Sequence, residues 1–275
     1  MKKKFFYARA PLRIGISGGG SDFKEFIKYH NSHVINGTIN LFNTSSIKIL
    51  NTQYVVFNSV DLNIREKHKI KNILKSKTSL DIHYYSYVYM MKNYNNNNYL
   101  SLEINSFCEA PHGSGLGSSS TLVVSITKCL ANILNLNLSK KKLAEIAYDI
   151  ERNYAGIDGG MQDQYSAVFG GINEYIFSKN QSAIIKKIKL KNNFVRNLEN
   201  MLTLAYYPIA RNAVKIITDQ KNKLKNNSEN IFDNLLKIKK DTLKIKKTIE
   251  KNNIDDFIKK FKKSWKNKKI LSKFI

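Results

Sequence analysis

Residues 109–121, EAPHGSGLGSSST, carry the densest chemistry in this 275-residue chain. A β-like run leads in, glycines alternate at Gly113, Gly115 and Gly117, three serines follow, and apolar residues then recur at helical spacing. Glycine lets backbone N–H groups approach an anion closely, and a helix N-terminus supplies free donors and partial positive charge. That is the physics of a phosphate cradle, to which a hydroxyl of Ser118, Ser119 or Ser120 would add a phosphate contact or a Mg²⁺ ligand. The loop lacks the Gly-Lys-Ser/Thr ending of a Walker A motif, and the lysine strand, HRD and DFG motifs of protein kinases are absent. Taken alone, it reads as an ordinary tight strand-to-helix turn.

Two further clusters change that reading. APLRIGISGGGSDF, Ala10 to Phe23, combines a basic residue, a triple glycine and an acid. IERNYAGIDGGMQDQYSAVFGG, Ile150 to Gly171, places Glu151 near a helix end and Asp163 just after a glycine pair. Phosphoryl transfer to an alcohol needs Mg²⁺ ligands, a cation facing the transferring charge, and a group that orients or deprotonates the hydroxyl. Glu151, Arg13 and Asp163 supply those types. Glu151, Arg13 and Asp22 also have plainer alternatives: Glu151 paired with a lysine on its helix, Arg13 a solvated strand residue, Asp22 a cap for a helix at 23–29.

Composition excludes several classes. Hydrophobic content of 42% with three prolines is that of a globular chain. No apolar run approaches the ~18 residues of a membrane helix, and MKKKFFYARAPLRI lacks a signal-peptide core, so a cytoplasmic protein is expected. Cys108 and Cys129 form no paired motif and read as small hydrophobes. The net charge of +25 suggests nucleic acid. Lysine, asparagine and isoleucine are enriched together, however, as in NYNNNNY at 93–99, which points to compositional bias. No nucleic-acid partner is expected; the charge would steer anionic small substrates.

Strands are predicted over 34–42, 45–50, 53–57 and 100–107, and helices over 119–134 and 139–152 with Ser139 as N-cap. INEYIF reads as a strand closing a first domain near residue 178. A strand MLTLAYYP and helices near 212–225, 228–251 and 254–266 follow.

With these clusters in order, the chain resembles the GHMP family of small-molecule kinases. Pro111, Gly115, Leu116, Gly117, Ser118 and Ser119 match every fixed position of the family's P-x-x-x-G-L-G-S-S loop. Within the family, the GGGSD, GSGLG-x-SSTLVV, QDQY-x-A-x-FGG and late SW-x-x-KKI segments are similar to the D-glycero-D-manno-heptose 7-phosphate kinase group. Galactokinases instead carry a GEHTDY-like stretch where this chain has GGGSDF.

The resemblance implies an α+β protein. A domain like ribosomal protein S5 domain 2 would span 1–178, and an incomplete ferredoxin-like GHMP kinase half 179–275. It implies ATP and Mg²⁺, with the nucleotide along Pro111, Gly113, Ser114, Gly115, Leu116, Gly117, Ser118 and Ser119. Asp163 would be the catalytic base or hydroxyl orienter and Arg13 the neighbouring cation, while Ser119 and Glu151 would bind Mg²⁺. Gly19, Gly20 and Asp22 would meet the sugar, and Arg211 its 7-phosphate. The implied reaction is phosphorylation of the anomeric hydroxyl of a heptose 7-phosphate, for nucleotide-heptose and surface polysaccharide synthesis. The alternatives are a kinase for another sugar, such as galactose or fucose, and a non-catalytic binding remnant. The family's third glycine-rich motif has no counterpart after Gly171, so a C-terminally shortened member is expected.

Overall fold

The computed structural model describes residues 5–179, 183–206, 213–226 and 229–272. A mixed, mostly antiparallel sheet organises them. Strand β1 (Phe5–Ser17) pairs along β2 (Ser32–Ile49), after the short helix α1 (Lys24–Ile27). Strands β3 (Tyr54–Ser59), β4 (Ile64–Lys69), β5 (Leu102–Cys108), β6 (Ile172–Phe177) and β7 (Ala183–Lys187) complete the order β4-β3-β5-β2-β6-β7. Among the described strands only β3 and β5 run parallel. The long β2 is shared: residues 43–49 pair with β5 and residues 32–37 with β6. The sheet continues past residue 178 through β7, which pairs with β6.

Two helical layers cover the sheet. Helices α2 (Asp81–Tyr94), α3 (Ser118–Ile133) and α4 (Lys140–Asp149) form the larger core, where Phe57, Tyr87, Met90, Ile104, Ile126 and Leu130 are fully buried. A π-helical turn, Ile150–Tyr154, and α5 (Gln162–Phe169) follow α4. After β7, the described residues hold α6 (Asn192–Met201), α7 (Ala213–Lys225), α8 (Glu229–Glu250) and α9 (Ile254–Lys269), and no strand. In this second layer Ile245, Ile249 and Phe257 pack on Ile16 and Ile35. Alternation explains how one strand serves both layers. Ala8, Ala10 and Leu12 of β1 are buried at period two. Register shifts between Pro11 and Arg13, and between Gly15 and Ser17, then re-aim the strand so that Ile16 meets α8.

Several elements differ from the sequence-based expectation. The strands expected at 34–42 and 45–50 are one continuous β2. The chain stays extended through its polar Asn43–Ser46 segment because Asn43 and Ser45 are buried and joined to Ser125 of α3. The strand expected from Met201 does not form over 202–206, which are irregular; its remainder lies outside the described residues. Ser139 does cap α4, accepting from Lys142 N at 3.2 Å. Among the described residues no helix is long and apolar enough to cross a membrane.

The second layer is fastened by a buried carboxylate. Glu174 of β6 has Oε1 2.8 Å from His33 Nδ1 and Oε2 2.8 Å from Lys246 Nζ of α8. Burial alone would raise its pKa, but the bonds from His33 and Lys246 outweigh this and hold it at about 2, against an ordinary 4.5. A depressed folded-state pKa means stabilisation present above about pH 4.5 and lost as pH falls toward 2, on the order of 3 kcal/mol in full. Glu174→Gln is therefore expected to lower unfolding free energy by about 2–3 kcal/mol at pH 7. Its difference from the wild type should shrink steadily in urea titrations below pH 4. A constant difference across that range would contradict the assignment.

Candidate active site

The glycine-rich loop leaves β5 and enters α3. Gly113, Gly115 and Gly117 adopt φ of +76°, +73° and +77°, the left-handed region that disfavours a Cβ. Such alternation with ordinary residues forms a concavity of backbone N–H groups, a nest for anions. Gly117 caps α3 with no side-chain hydrogen bond, so the helix presents its first-turn donors to the same space. Ser114 Oγ is shielded from solvent and has no hydrogen-bond partner among the described residues. An orphaned hydroxyl inside a donor-rich loop fits a ligand's phosphate oxygens. Leu116 anchors the loop from beneath, packed with Leu12 and Ala110.

Arg13 ties this loop to α5. Its backbone N donates to Leu116 O at 3.0 Å and its Nη1 to Gly115 O at 2.7 Å. Its Nε and Nη2 donate to Asp163 Oδ1 and Oδ2, both at 2.7 Å, a bidentate pair. Burial pushes the Asp163 pKa up, but the Arg13 guanidinium more than offsets this and holds it below the ordinary carboxylate value. Arg13 is thus no solvated strand residue; 150 positions separate it from its partner.

Asp22 is 1% exposed and accepts from Gly20 N at 3.1 Å, Gln162 N at 3.0 Å and Gln162 Nε2 at 3.1 Å. It caps α5, not α1, whose N-cap Phe23 receives no side-chain bond. Burial, aided by repulsion from Asp163, raises its pKa. Gly160 allows this approach, since a Cβ there would stand 1.9 Å from Asp22 Oδ2. Gly19 and Gly20 border the same space, facing Gln162, Lys268 and Gln220. Arg211 lies outside the described residues.

Glu151 is the second buried carboxylate, placed by the π-helical turn. Insertion of such a turn rotates a side chain out of the regular helical register, a device common at functional sites. Its Oε1 accepts from Ser119 Oγ at 2.7 Å and pairs with Arg152 Nη1 at 3.1 Å. Its Oε2 accepts from Ser120 Oγ and Gln164 Nε2, both at 2.6 Å. A lysine partner on its own helix, the plainer alternative, is not what pairs with it. Ser119 Oγ and Glu151 Oε1 are spaced much like two neighbouring ligands of a Mg²⁺ octahedron, about 3 Å for bonds of about 2.1 Å. Among the described residues no three His, Cys, Asp or Glu side chains form a metal cluster. Mg²⁺ needs none, because one or two protein oxygens plus phosphate oxygens and water make its usual shell. Ser119 and Glu151 fit the ion in that sense.

Beyond Ser118 and Ser119 a cavity of about 260 Å³ opens between β2, β3, β5 and the start of α2. Asn43, Asp61, Leu80, His83 and Ser106 line it. His83 has Nε2 2.9 Å from Ser106 Oγ, and burial lowers its pKa to about 4, so the ring is neutral at pH 7. Sequence reasoning missed this lining because its residues come from four separated segments. It also missed Gln162, Gln164, Arg152 and Lys268. The two glutamines had one available signal: three consecutive polar residues, 162–164, open a short helix whose next turn is mostly apolar. Such a helix cannot turn all three to solvent, and Gln164 is fully buried.

Known proteins share this chain's sequence pattern and fold. The family described as "GHMP kinases N terminal domain" matches residues 82–171. The D-glycero-alpha-D-manno-heptose 7-phosphate kinase of Campylobacter jejuni is 34% identical over 272 residues, covering 99% of this chain and 79% of its own length. The galactokinase of Thermotoga maritima is 27% identical over 183 residues, 66% of this chain and 49% of that protein. Among solved structures, a D-glycero-D-manno-heptose 1-phosphate kinase from Bacteroides thetaiotaomicron superposes with a TM-score of 0.79 at 28% identity, covering 96% of this chain and 79% of that one.

Proposed function

Since the chain belongs to the GHMP kinases, we propose that it moves the γ-phosphoryl group of ATP to the anomeric C1 hydroxyl of D-glycero-D-manno-heptose 7-phosphate. The products are ADP and the 1,7-bisphosphate, a precursor for nucleotide-heptose and surface polysaccharide synthesis. One observation carries the reading: Arg13 joins the carbonyl of Gly115 and the carboxylate of Asp163 in one rigid unit. The phosphate cradle and the acceptor-side carboxylate are thereby fixed against each other, which is what in-line transfer requires. The two-domain division near residue 178 and the S5-like and ferredoxin-like halves belong to the same proposal.

In this mechanism the uncommitted N–H groups of the 113–119 loop and the α3 N-terminus hold the triphosphate, Ser114 Oγ takes a phosphate oxygen, and the 260 Å³ cavity receives the base. Ser119 and Glu151 would hold Mg²⁺, which supplies charge neutralisation on the phosphates. Asp163 accepts a hydrogen bond from the C1 hydroxyl and aligns its oxygen. That oxygen forms the new bond to the γ-phosphorus, the bond to the β,γ-bridging oxygen breaks, and its electron pair leaves with ADP. The hydroxyl proton passes to Asp163. A weakly basic carboxylate suits a loose transition state, in which little bonding to the nucleophile has developed when the old bond gives way. Asp22 holds the 18–20 loop and α5 together and retains one acceptor position toward the sugar.

The related heptose kinases carry names that place a phosphate differently, and a galactokinase also aligns. ADP release from heptose 7-phosphate, heptose 1-phosphate, unphosphorylated heptose and galactose therefore tests the substrate. The 7-phosphate is expected to give a kcat/KM at least about 10²-fold above the unphosphorylated sugars, since an arginine site for phosphate is left unpaired by them. Arg211→Ala should erase most of that margin. A preference for galactose, or for the 1-phosphate, would overturn the acceptor assignment.

A further inference from the structure

Arg13 carries positive charge into the site, but three of its five N–H donors are held by its own partners. Nε and Nη2 bind Asp163 and Nη1 binds Gly115 O, each at 2.7 Å. Another cation reaches the same point from the far end of the chain. Lys268 stands in the last turn of α9, within the SWKNKKI segment at 264–270 to which no role had been attached. A Cβ on Gly19 would lie 3.4 Å from Lys268 Nζ and 3.3 Å from Gln162 Nε2, so ammonium, amide and glycine converge on one spot. The helix holds the lysine in place. Ser264 Oγ is 3.3 Å from Ser17 Oγ of β1, and Asn267 Nδ2 donates to Asp241 Oδ2 of α8 at 2.7 Å.

Lys268 is half-buried and makes no hydrogen bond or ion pair among the described residues. The two nearby carboxylates are engaged elsewhere, Asp22 by Gly20 and Gln162, Asp163 by Arg13. Burial and the like charge of Arg13 both disfavour its protonated form, while Asp22 and Asp163 favour it. An ammonium held under those conditions is relieved by an arriving anion, and a neutral sugar hydroxyl would not offset the cost. We infer that Lys268 is a catalytic residue whose ammonium binds the non-bridging oxygens of the γ-phosphoryl group as it passes to the acceptor. The 7-phosphate is the wrong anion for this place, because Lys268 sits in the field of Asp163, where C1 reacts, and the 7-phosphate lies at the opposite end of the sugar.

The inference rests on the kinase reading above, and binding separates the two. Calorimetric titration of the full chain with ADP and with β,γ-imido-ATP, in Mg²⁺ buffer, is done for wild type, Lys268→Met and Lys268→Arg. Lys268→Met is expected to weaken imido-ATP about 10-fold or more and to leave ADP within about 2-fold, since only the former carries a γ-phosphoryl group. Its kcat should fall about 10²–10³-fold. Lys268→Arg should recover most of the imido-ATP affinity. Unchanged imido-ATP binding in Lys268→Met, or equal losses on both nucleotides, would overturn the role of Lys268 and leave the kinase reading standing. A wild-type chain that binds neither nucleotide would overturn both.

Discussion

Asp163→Asn is expected to lower kcat by about 10²–10⁴-fold, the range for a lost general base, with nucleotide affinity changed little. Asparagine has nearly the same shape, but it can accept from only one of the two Arg13 nitrogens that now grip the carboxylate at 2.7 Å. It also turns an N–H₂ donor toward a guanidinium or toward the acceptor hydroxyl, neither of which can use it productively. Asp163→Ala would go further, leaving a buried guanidinium without its counter-charge at a cost of about 3–5 kcal/mol. The asparagine variant therefore isolates chemistry from folding. Coupled ADP release gives kcat, and thermal unfolding of the same sample reports whether the Arg13 pair has loosened. Because Arg13 holds the Asp163 pKa below the ordinary range, the wild-type rate should keep its ionised carboxylate down to acidic pH. A near-normal kcat in Asp163→Asn would remove Asp163 from the acceptor side.

What was legible in the sequence follows from how a backbone phosphate cradle has to be built. A nest needs consecutive backbone amides, so its glycines had to fall within one short stretch, and the 113–119 loop could be read directly. Arg13 was legible in the glycine-rich 10–23 cluster, and Glu151 and Asp163 in the one at 150–171. The cavity beside Ser118 was not, being assembled from short pieces of three strands, their loops and a helix far apart in the chain. Helix α2 escaped for a local reason: DIHYYSYVYMMKNY is rich in strand-favouring tyrosines and buried along most of its length, so it shows no amphipathic period. Lys268 was hidden by its neighbours. Among Lys262, Lys263, Lys266 and Lys269 it looks like one more solvated charge, and only the seating of α9 on β1 distinguishes it.

Gly18→Ala should be the most damaging single-methyl change in the N-terminal motif. Gly18 follows β1 directly with φ of +89°, and an added Cβ would lie 2.0 Å from His33 O and 2.8 Å from Val34 Cα. Those are backbone atoms of β2, which is fixed by β1 on one side and β6 on the other, so they cannot yield as a side-chain tip can. The same turn is closed by Ser21, whose N and Oγ both donate to Gly18 O, and by the Ser21–Ser32 hydroxyl pair at 2.8 Å. A strained φ of about 1–3 kcal/mol adds to a clash that must displace one of these strands. A Tm loss of about 10 °C or failure to fold is expected, read by circular dichroism. Gly115→Ala makes the contrast that gives this test its force. Gly115 has a similar φ of +73°, but nothing lies within 4 Å of an added Cβ. Its cost to folding should stay near about 1–2 kcal/mol, while the methyl group intrudes where phosphate oxygens must approach the nest. Nucleotide binding should therefore weaken about 10-fold or more in Gly115→Ala with Tm nearly kept. Gly18 would then be a glycine because two strands meet there, and Gly115 because a ligand does. If both variants lost stability alike and bound nucleotide alike, the open space over Gly115 would not be the phosphate site.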